Sequence, residues 1–305
     1  MNGILNILKP PGMTSFDVVA YLRGVFKTKK IGHTGTLDPG AVGVLPICTG
    51  TATKAIEYIT ESNKLYRAEL TLGITTDTQD SYGEIVDTKS AEVSDEKIRN
   101  VINTFKGRYD QIPPMYSAVK VNGKRLYELA RQGLEVERKP RCIEIYSINI
   151  LDIQRQVENH SSELAVIKVM FDVECSKGTY IRTLCHDIGE KLGCGGHMSF
   201  LVRLRTGIFD IYSAVTLEEV KEALSPGKME DIIIEVDKVF EGFESVTLDE
   251  VCSKKFLNGM PVNCIKRDSV PGSILRVYNP DKEFIALGQV IEKNGHILLK
   301  SKKRF

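Results

Sequence analysis

A chain of 305 residues with 42% hydrophobic content is long enough to bury a substantial core and exceeds the usual span of one domain, so a large domain followed by a small one is expected. No apolar run approaches membrane-spanning length, the N-terminus lacks a signal-peptide pattern, and seven cysteines show no repeated short spacing; these features point to a cytoplasmic protein with reduced thiols and no disulfide framework. The net charge of +1 excludes a uniformly basic polyanion binder but hides a local excess, since seven Lys/Arg stand against three Glu between Lys120 and Arg141.

In chain order, Ile4 to Leu8 reads as an opening strand. Thr14-x-x-Asp17 then starts a helix with Phe16, Val19, Leu22, Val25 and Phe26 as its apolar positions. Tyr66 to Leu72 alternates as a strand, and Ile98, Val101, Ile102 and Phe105 form a helical stripe that ends at Gly107. Two Ile/Val-rich antiparallel strands are expected between Glu144 and Glu174, separated by the polar, hairpin-like Gln154 to Ser162. Thr179 to Leu192 reads as a helix with Ile181, Leu184, Ile188 and Leu192 on one face and Gly193 as its stop. Thr216-x-x-Glu219 and Thr247-x-x-Glu250 have the form of capping boxes for two later helices. Beyond about residue 240 come short strands split by Asn-Pro-Asp and Asn-Gly turns, the texture of a small β-rich domain.

The strongest chemical signal is Gly32-His33-Thr34-Gly35-Thr36-Leu37-Asp38-Pro39-Gly40-Ala41-Val42-Gly43-Val44-Leu45-Pro46, one carboxylate held among four glycines and two prolines. Glycines permit close approach of a ligand to the backbone, and Pro39 fixes the bond after Asp38, so Asp38 is expected at the tip of a preformed loop. The alternative is an Asx turn in which Asp38 accepts its own loop's amide hydrogens; the length of the loop counts against it. No Walker or dinucleotide glycine pattern follows, which argues against nucleotide triphosphate chemistry. Cys185-His186 and Cys194-x-x-His197 are the one Cys/His grouping to weigh as a metal site. Cys185 shares helical spacing with Ile181 and Leu184, which favours core packing, so no metal is expected. Tyr116 and Tyr127, with a turn at Asn122-Gly123, make the basic segment a candidate RNA surface and not merely a solvated face.

The glycine-rich segment, with Lys9-Pro10-Pro11-Gly12-Met13-Thr14-Ser15 before it, closely resembles the TruB family of pseudouridine synthases, which isomerise a uridine in the T loop of transfer RNA. Further matches follow in the family's order: Lys64-x-Tyr66, Tyr116 to Arg131, Ser176-Lys177-Gly178-Thr179-Tyr180-Ile181-Arg182-Thr183-Leu184, then Leu201-x-Arg203 and Gly207-x-Phe209. Gly40 and Val42 stand where the family often shows Leu and Thr. The resemblance implies an α+β fold, a mixed, largely antiparallel sheet with flanking helices over residues 1–240, with an RNA-gripping thumb at about 114–141. A PUA-like RNA-binding domain over 241–305 would follow. It implies Asp38 as the catalytic carboxylate, Arg182 as its partner and Tyr66 as the active-site aromatic. Tyr180 and Leu201 would be pocket walls, His33 would wedge into the T loop, and Lys9, Lys64, Lys124, Arg125 and Arg131 would contact substrate. The reaction needs no cofactor, and transfer RNA is the expected partner, with no membrane and no obligatory protein partner. The rival readings are a non-catalytic RNA-binding or RNA-folding protein, a guide-RNA-dependent synthase, and a retaining glycoside hydrolase. The last would want two carboxylates about 5 Å apart, and only one stands out.

Overall fold

The computed structural model describes all residues except Asn122, 160–162, Pro226 and 266–268. The chain opens with β1 (Gly3–Lys9), α1 (Ser15–Phe26), β2 (Ile31–His33) and β3 (Val42–Thr49), and continues through α2 (Ile56–Glu61) and β4 (Lys64–Leu72). Next come β5 (Ile74–Thr76), β6 (Ile85–Thr88), α3 (Asp95–Asn103), β7 (Gly107–Gln111), β8 (Lys120–Val121), β9 (Lys124–Arg125) and α4 (Leu126–Ala130). The long pair β10 (Arg141–Asn159) and β11 (Glu163–Cys175) leads into α5 (Ile181–Leu192), β12 (Gly196–Thr206), β13 (Phe209–Asp210), α6 (Leu217–Glu222) and β14 (Ile233–Ile234). The last elements are β15 (Ser245–Thr247), α7 (Glu250–Leu257), β16 (Ile274–Tyr278), β17 (Phe284–Lys293) and β18 (His296–Arg304).

The central sheet runs β14-β1-β3-β12-β4-β11-β10-β7, with β2 paired to β3 and β13 to β12. Its strands pair antiparallel except for β12 against β3, which meet in parallel at Val202–Val42 and Arg203–Gly43. That junction sits directly after the glycine-rich loop. Gly43, at φ +111°, permits it, because a Cβ there would fall 2.3 Å from the Arg203 carbonyl oxygen. One face of β4, β11 and β12 buries Ala68, Leu70, Val169, Phe171 and Leu201 against Ile181, Leu184 and Ile188 of α5. The expected helical periodicity of α5 therefore packs as read, and its last turn ends at Gly193 in the left-handed conformation, φ 85°. A fully buried side chain of this kind contributes about 1.5–3 kcal/mol, so the face that carries α5 is held rigidly.

The mixed, largely antiparallel sheet with flanking helices is the architecture expected, and a smaller four-stranded sheet, β15-β16-β17-β18, follows it. The two meet through Phe240, Phe284 and Phe305, whose ring centroids lie 5.2–5.9 Å apart, beside Ile4 and Val44 of the central sheet. Local details differ from the reading. Polar residues from Gln154 to Asn159 remain in β10 and pair with β11; Arg155 there is held by an ion pair to Asp95 at 2.6 Å, and 160–162 lie outside the described residues. Thr247 ends β15 and does not cap α7. Asp249 does, accepting from the Cys252 amide at 2.7 Å. The other two capping boxes, at Thr14 and Thr216, form as read. Phe16 stays 60% exposed, so Val18, Val19 and Leu22 are the core face of α1. Cys252 and Cys264 are joined at 2.09 Å, a correction to the expectation of reduced thiols throughout: the segment after α7 folds back beside Cys252.

Candidate functional site

Residues 34–41 form the loop between β2 and β3, and three backbone clamps fix Asp38 within it. The Ser15 hydroxyl at the start of α1 accepts from the Leu37 amide at 2.8 Å. Pro39 offers its carbonyl to the Gly12 amide at 2.8 Å and to the Lys9 ammonium at 3.2 Å. The Ala41 amide closes the turn on the Asp38 carbonyl at 3.1 Å. The Lys9 to Ser15 motif thus holds the residues on both sides of Asp38. Among the described residues its carboxylate accepts hydrogen bonds from Arg182 alone, so the Asx-turn alternative does not hold.

Arg182 is the second residue of α5, which begins at Ile181 and not at Thr179 as expected. Its guanidinium meets Asp38 in bidentate fashion, Nε to Oδ2 at 2.9 Å and Nη2 to Oδ1 at 3.3 Å. The fork is also anchored by the Thr78 carbonyl at 3.2 Å and the Tyr116 carbonyl at 2.9 Å, with an Asp80 carboxylate oxygen 3.5 Å from Nη1. Arg182's side chain is only 6% exposed while that of Asp38 is 37% exposed, so the cation is the buried support and the carboxylate is the accessible partner. A surface ion pair is thereby excluded. Burial raises the Asp38 carboxyl above its ordinary value; Arg182 pulls it down, and the like charge of Asp80 adds to the rise.

In the sequence Asp80 is one carboxylate of an acidic stretch, Asp77 to Asp87, and no motif singles it out. The structure buries it at 8% exposure, its turn fastened to β12 by the Ser81 amide on the Met198 carbonyl at 3.1 Å. The available signal was Thr78-x-Asp80 flanked by Gly83, a turn that folds onto its own carboxylate.

Tyr66 lies on β4 at 9% exposure and shares its apolar cluster with Leu37, Ala41 and Leu201. Burial pushes the Tyr66 phenol up, Arg203 opposes this, and the nearby Asp38 charge adds to it. An elevated phenol is even less often ionised near neutral pH, so little phenolate is available to take a proton, which favours packing on a ring. Tyr180 is the residue before α5, with its amide and carbonyl both held by the buried Gln111 at 2.8 and 3.0 Å. His33 is half-buried at the end of β2, one residue before the loop. Its Nδ1 accepts from the Gly35 amide at 3.3 Å, and burial lowers its pKa, leaving the ring neutral with Nε2 as donor.

Two expected substrate contacts lie buried. Lys9 is 0% exposed and donates to the carbonyls of Pro10, Met13 and Pro39, while burial pulls it down to about 8. Lys64, 6% exposed, caps the end of α2 by donating to the Thr60 and Ser62 carbonyls, and burial likewise lowers it to about 8. Both ammoniums satisfy inward-facing carbonyls. Arg203, named in the sequence only within a motif, is buried in the same way. At 1% exposure it donates to the Val44 and Gly35 carbonyls at 2.7 and 3.1 Å and ties β12 to both ends of the glycine-rich loop.

The basic segment carries the β8–β9 hairpin and α4, with Lys124, Arg125 and Arg131 exposed. Arg125 and Arg131 flank the Tyr127 ring at 5.8 and 5.6 Å. The Asn122 half of the expected turn lies outside the described residues; Gly123 has φ +84°. Cys185 packs in the core, and His197 sets its Nδ1 2.9 Å from the Ile74 carbonyl. The described residues bring Asp249, Cys252 and Cys264 together instead.

The class of protein to which this sheet, with an aspartate held by a buried arginine, belongs is that of the pseudouridine synthases. The chain belongs to the TruB family of pseudouridylate synthases: residues 23–181 match its N-terminal domain and 182–247 the C-terminal domain described for tRNA pseudouridylate synthase B. It is 52% identical over 259 residues to the tRNA pseudouridine synthase B of Alkaliphilus oremlandii, covering 85% of this chain and 82% of that one. It is 48% identical to that of Clostridium perfringens strain ATCC 13124 over 96% of both. Among solved structures, a chain of a Cbf5-Nop10-Gar1 complex superposes with TM-score 0.72 at 28% identity, covering 99% of this chain and 84% of that one. Among the described residues no helix is long and apolar enough to cross a membrane.

Proposed function

We propose that this pseudouridine synthase isomerises a uridine in the T loop of transfer RNA. The observation that carries the reading is the bidentate Asp38–Arg182 pair, buried on the arginine side and open on the carboxylate side. Two relatives named tRNA pseudouridine synthase B, similar over most of their length, support transfer RNA as the substrate. The reaction breaks the C1′–N1 bond and forms C1′–C5 in the same uracil; the C5 proton departs and N1 gains one, so no oxidant or reductant is needed. Asp38 attacks C1′ or removes the C2′ proton, Arg182 holds its carboxylate in one orientation, and Tyr66 and Leu201 stack on the extruded base. His33 would fill the gap the uracil leaves, and Tyr180 would close the pocket's side. Residues 1–240 then form the catalytic unit, with 114–141 gripping phosphates through Lys124, Arg125 and Arg131, and 241–305 add a PUA-like RNA contact.

A guide-RNA-dependent reading has one observation behind it, the likeness to a chain solved with Nop10 and Gar1. The experiment is release of tritium from C5-labelled uracil in an unmodified transfer RNA transcript by the purified chain alone. Stoichiometric release at a single T-loop site is expected; release only on adding companion proteins, or none, overturns the reading.

A further inference from the structure

Tyr82 is 76% exposed, in the tight turn that also carries Asp80. Its backbone is not free: the Asp80 carboxylate accepts from the Tyr82 amide at 3.0 Å, and the Ser81 amide beside it is bound to β12. The ring is delivered onto the catalytic loop. A Cβ built on Gly40 would fall 2.1 Å from Cε2 and 2.5 Å from the phenol oxygen of Tyr82. Gly40 does not adopt a left-handed φ, so the backbone itself tolerates a side chain there, and the three atoms nearest to such a Cβ all belong to the Tyr82 side chain. Gly40 lies two residues after Asp38, so the Tyr82 ring sits over the backbone of the Asp38 loop, carried by the anchored Asp80 turn.

We propose that Tyr82 stacks on a T-loop base that flanks the extruded uridine, and so serves as a binding and specificity residue beside Asp38. A large aromatic held at the rim of an active site, with one side against the loop and the rest open, has the geometry of a stacking platform for an unpaired base. A packing role alone would bury the ring. The inference rests on the transfer RNA reading above.

The chain contains no tryptophan, so Tyr82→Trp introduces a single fluorophore at the site. Saturating unmodified transfer RNA should quench the indole and shield it from iodide. Tyr82→Ala should raise KM for transfer RNA roughly tenfold to a hundredfold, the range that loss of one base–aromatic stack corresponds to, with a much smaller change in kcat. Tyr82→Phe should restore KM and Tyr82→Leu should not, which separates stacking from filling space. Gly40→Leu should displace the ring and raise KM, with no further rise in Gly40→Leu/Tyr82→Ala. Unchanged KM in Tyr82→Ala together with an indole blind to bound transfer RNA overturns the inference while tritium release leaves the function intact. A wild-type chain that neither binds nor modifies transfer RNA overturns both.

Discussion

The Lys9 ammonium donates to the Pro39 carbonyl at 3.2 Å, which ties the end of β1 to the residue immediately after Asp38. Through the same ammonium the carbonyls of Pro10 and Met13 are held at 2.8 and 2.6 Å, so one buried cation organises both loops of the cleft. Lys9→Met keeps the stem and removes the donor, stranding the Pro10 and Met13 carbonyls, each at a cost of about 1–3 kcal/mol when unsatisfied, while Pro39 keeps the Gly12 amide. Turnover should fall at least tenfold and Tm should drop, while transfer RNA affinity measured by filter binding stays within about threefold. An affinity loss with normal Tm would instead make Lys9 a phosphate contact.

Asp38→Asn should abolish turnover and leave transfer RNA binding unchanged or tighter, because in the proposed reaction the carboxylate does the chemistry and also repels phosphate. Single-turnover tritium release checks it, and residual activity within tenfold of wild type would remove Asp38 from the reaction. Arg182→Lys should be nearly as damaging. An ammonium cannot hold both Asp38 oxygens while also serving the Thr78 and Tyr116 carbonyls.

The acid limb of kcat reports the ionisation of Asp38. Its folded-state carboxyl is raised above the ordinary 3.8, so the active, ionised form is lost as pH falls through that raised value, earlier than for an unperturbed aspartate. Asp80→Asn removes a like charge that contributes to the rise. The limb should therefore move to lower pH in the variant, even if the plateau rate falls because Arg182 is less well held. A limb that moves to higher pH would show that Asp80 acts on Asp38 chiefly through Arg182's position.

What the sequence disclosed about this site was local. Glycine and proline spacing around Asp38 foretold a rigid loop, and the period of Ile181, Leu184 and Ile188 foretold the helix that carries Arg182, because backbone dihedrals and a single buried face are written in neighbouring residues. Single strands of the central sheet were readable for the same reason, from the alternation of β4 and the Ile/Val runs of β10 and β11, whereas the class of the whole sheet came from the family resemblance. Asp80 was not readable, since only the turn's attachment to Met198 on β12 brings it to Arg182, and charge alone cannot tell a buried carboxylate from a solvated one. Nor were the partners of Lys9 and Lys64 readable: both sit in matching motifs, and their ammoniums point to carbonyls that only the folded chain places beside them. The bond between Cys252 and Cys264 depends on how the segment after α7 returns, which no spacing rule specifies.

Tyr66→Phe keeps the stacking face and removes the phenol oxygen. The elevated phenol on β4 favours a stacking role, so turnover is expected to fall only modestly, with substrate affinity preserved. A loss of several orders of magnitude at full transfer RNA binding would assign the phenol oxygen to the C5 proton instead.

The exposed Lys124, Arg125 and Arg131 define a separate test, of grip and not of chemistry. Arg125 and Arg131 both lie against the Tyr127 ring, which pre-orders both guanidiniums on a small hairpin and helix where a phosphate could meet them. Replacing all three with Gln should weaken transfer RNA binding and flatten the slope of log affinity against log salt by roughly 0.7 to 0.9 per lost phosphate contact. The rate at saturating RNA should suffer less than affinity, because Asp38 and Arg182 are untouched. The modified position should stay the same, since phosphate contacts set the register without reading bases. An unaltered salt slope in the triple variant would make this segment a solvated face and move the phosphate grip to Arg23, Lys27, Lys29 and Lys30 or to the small C-terminal sheet.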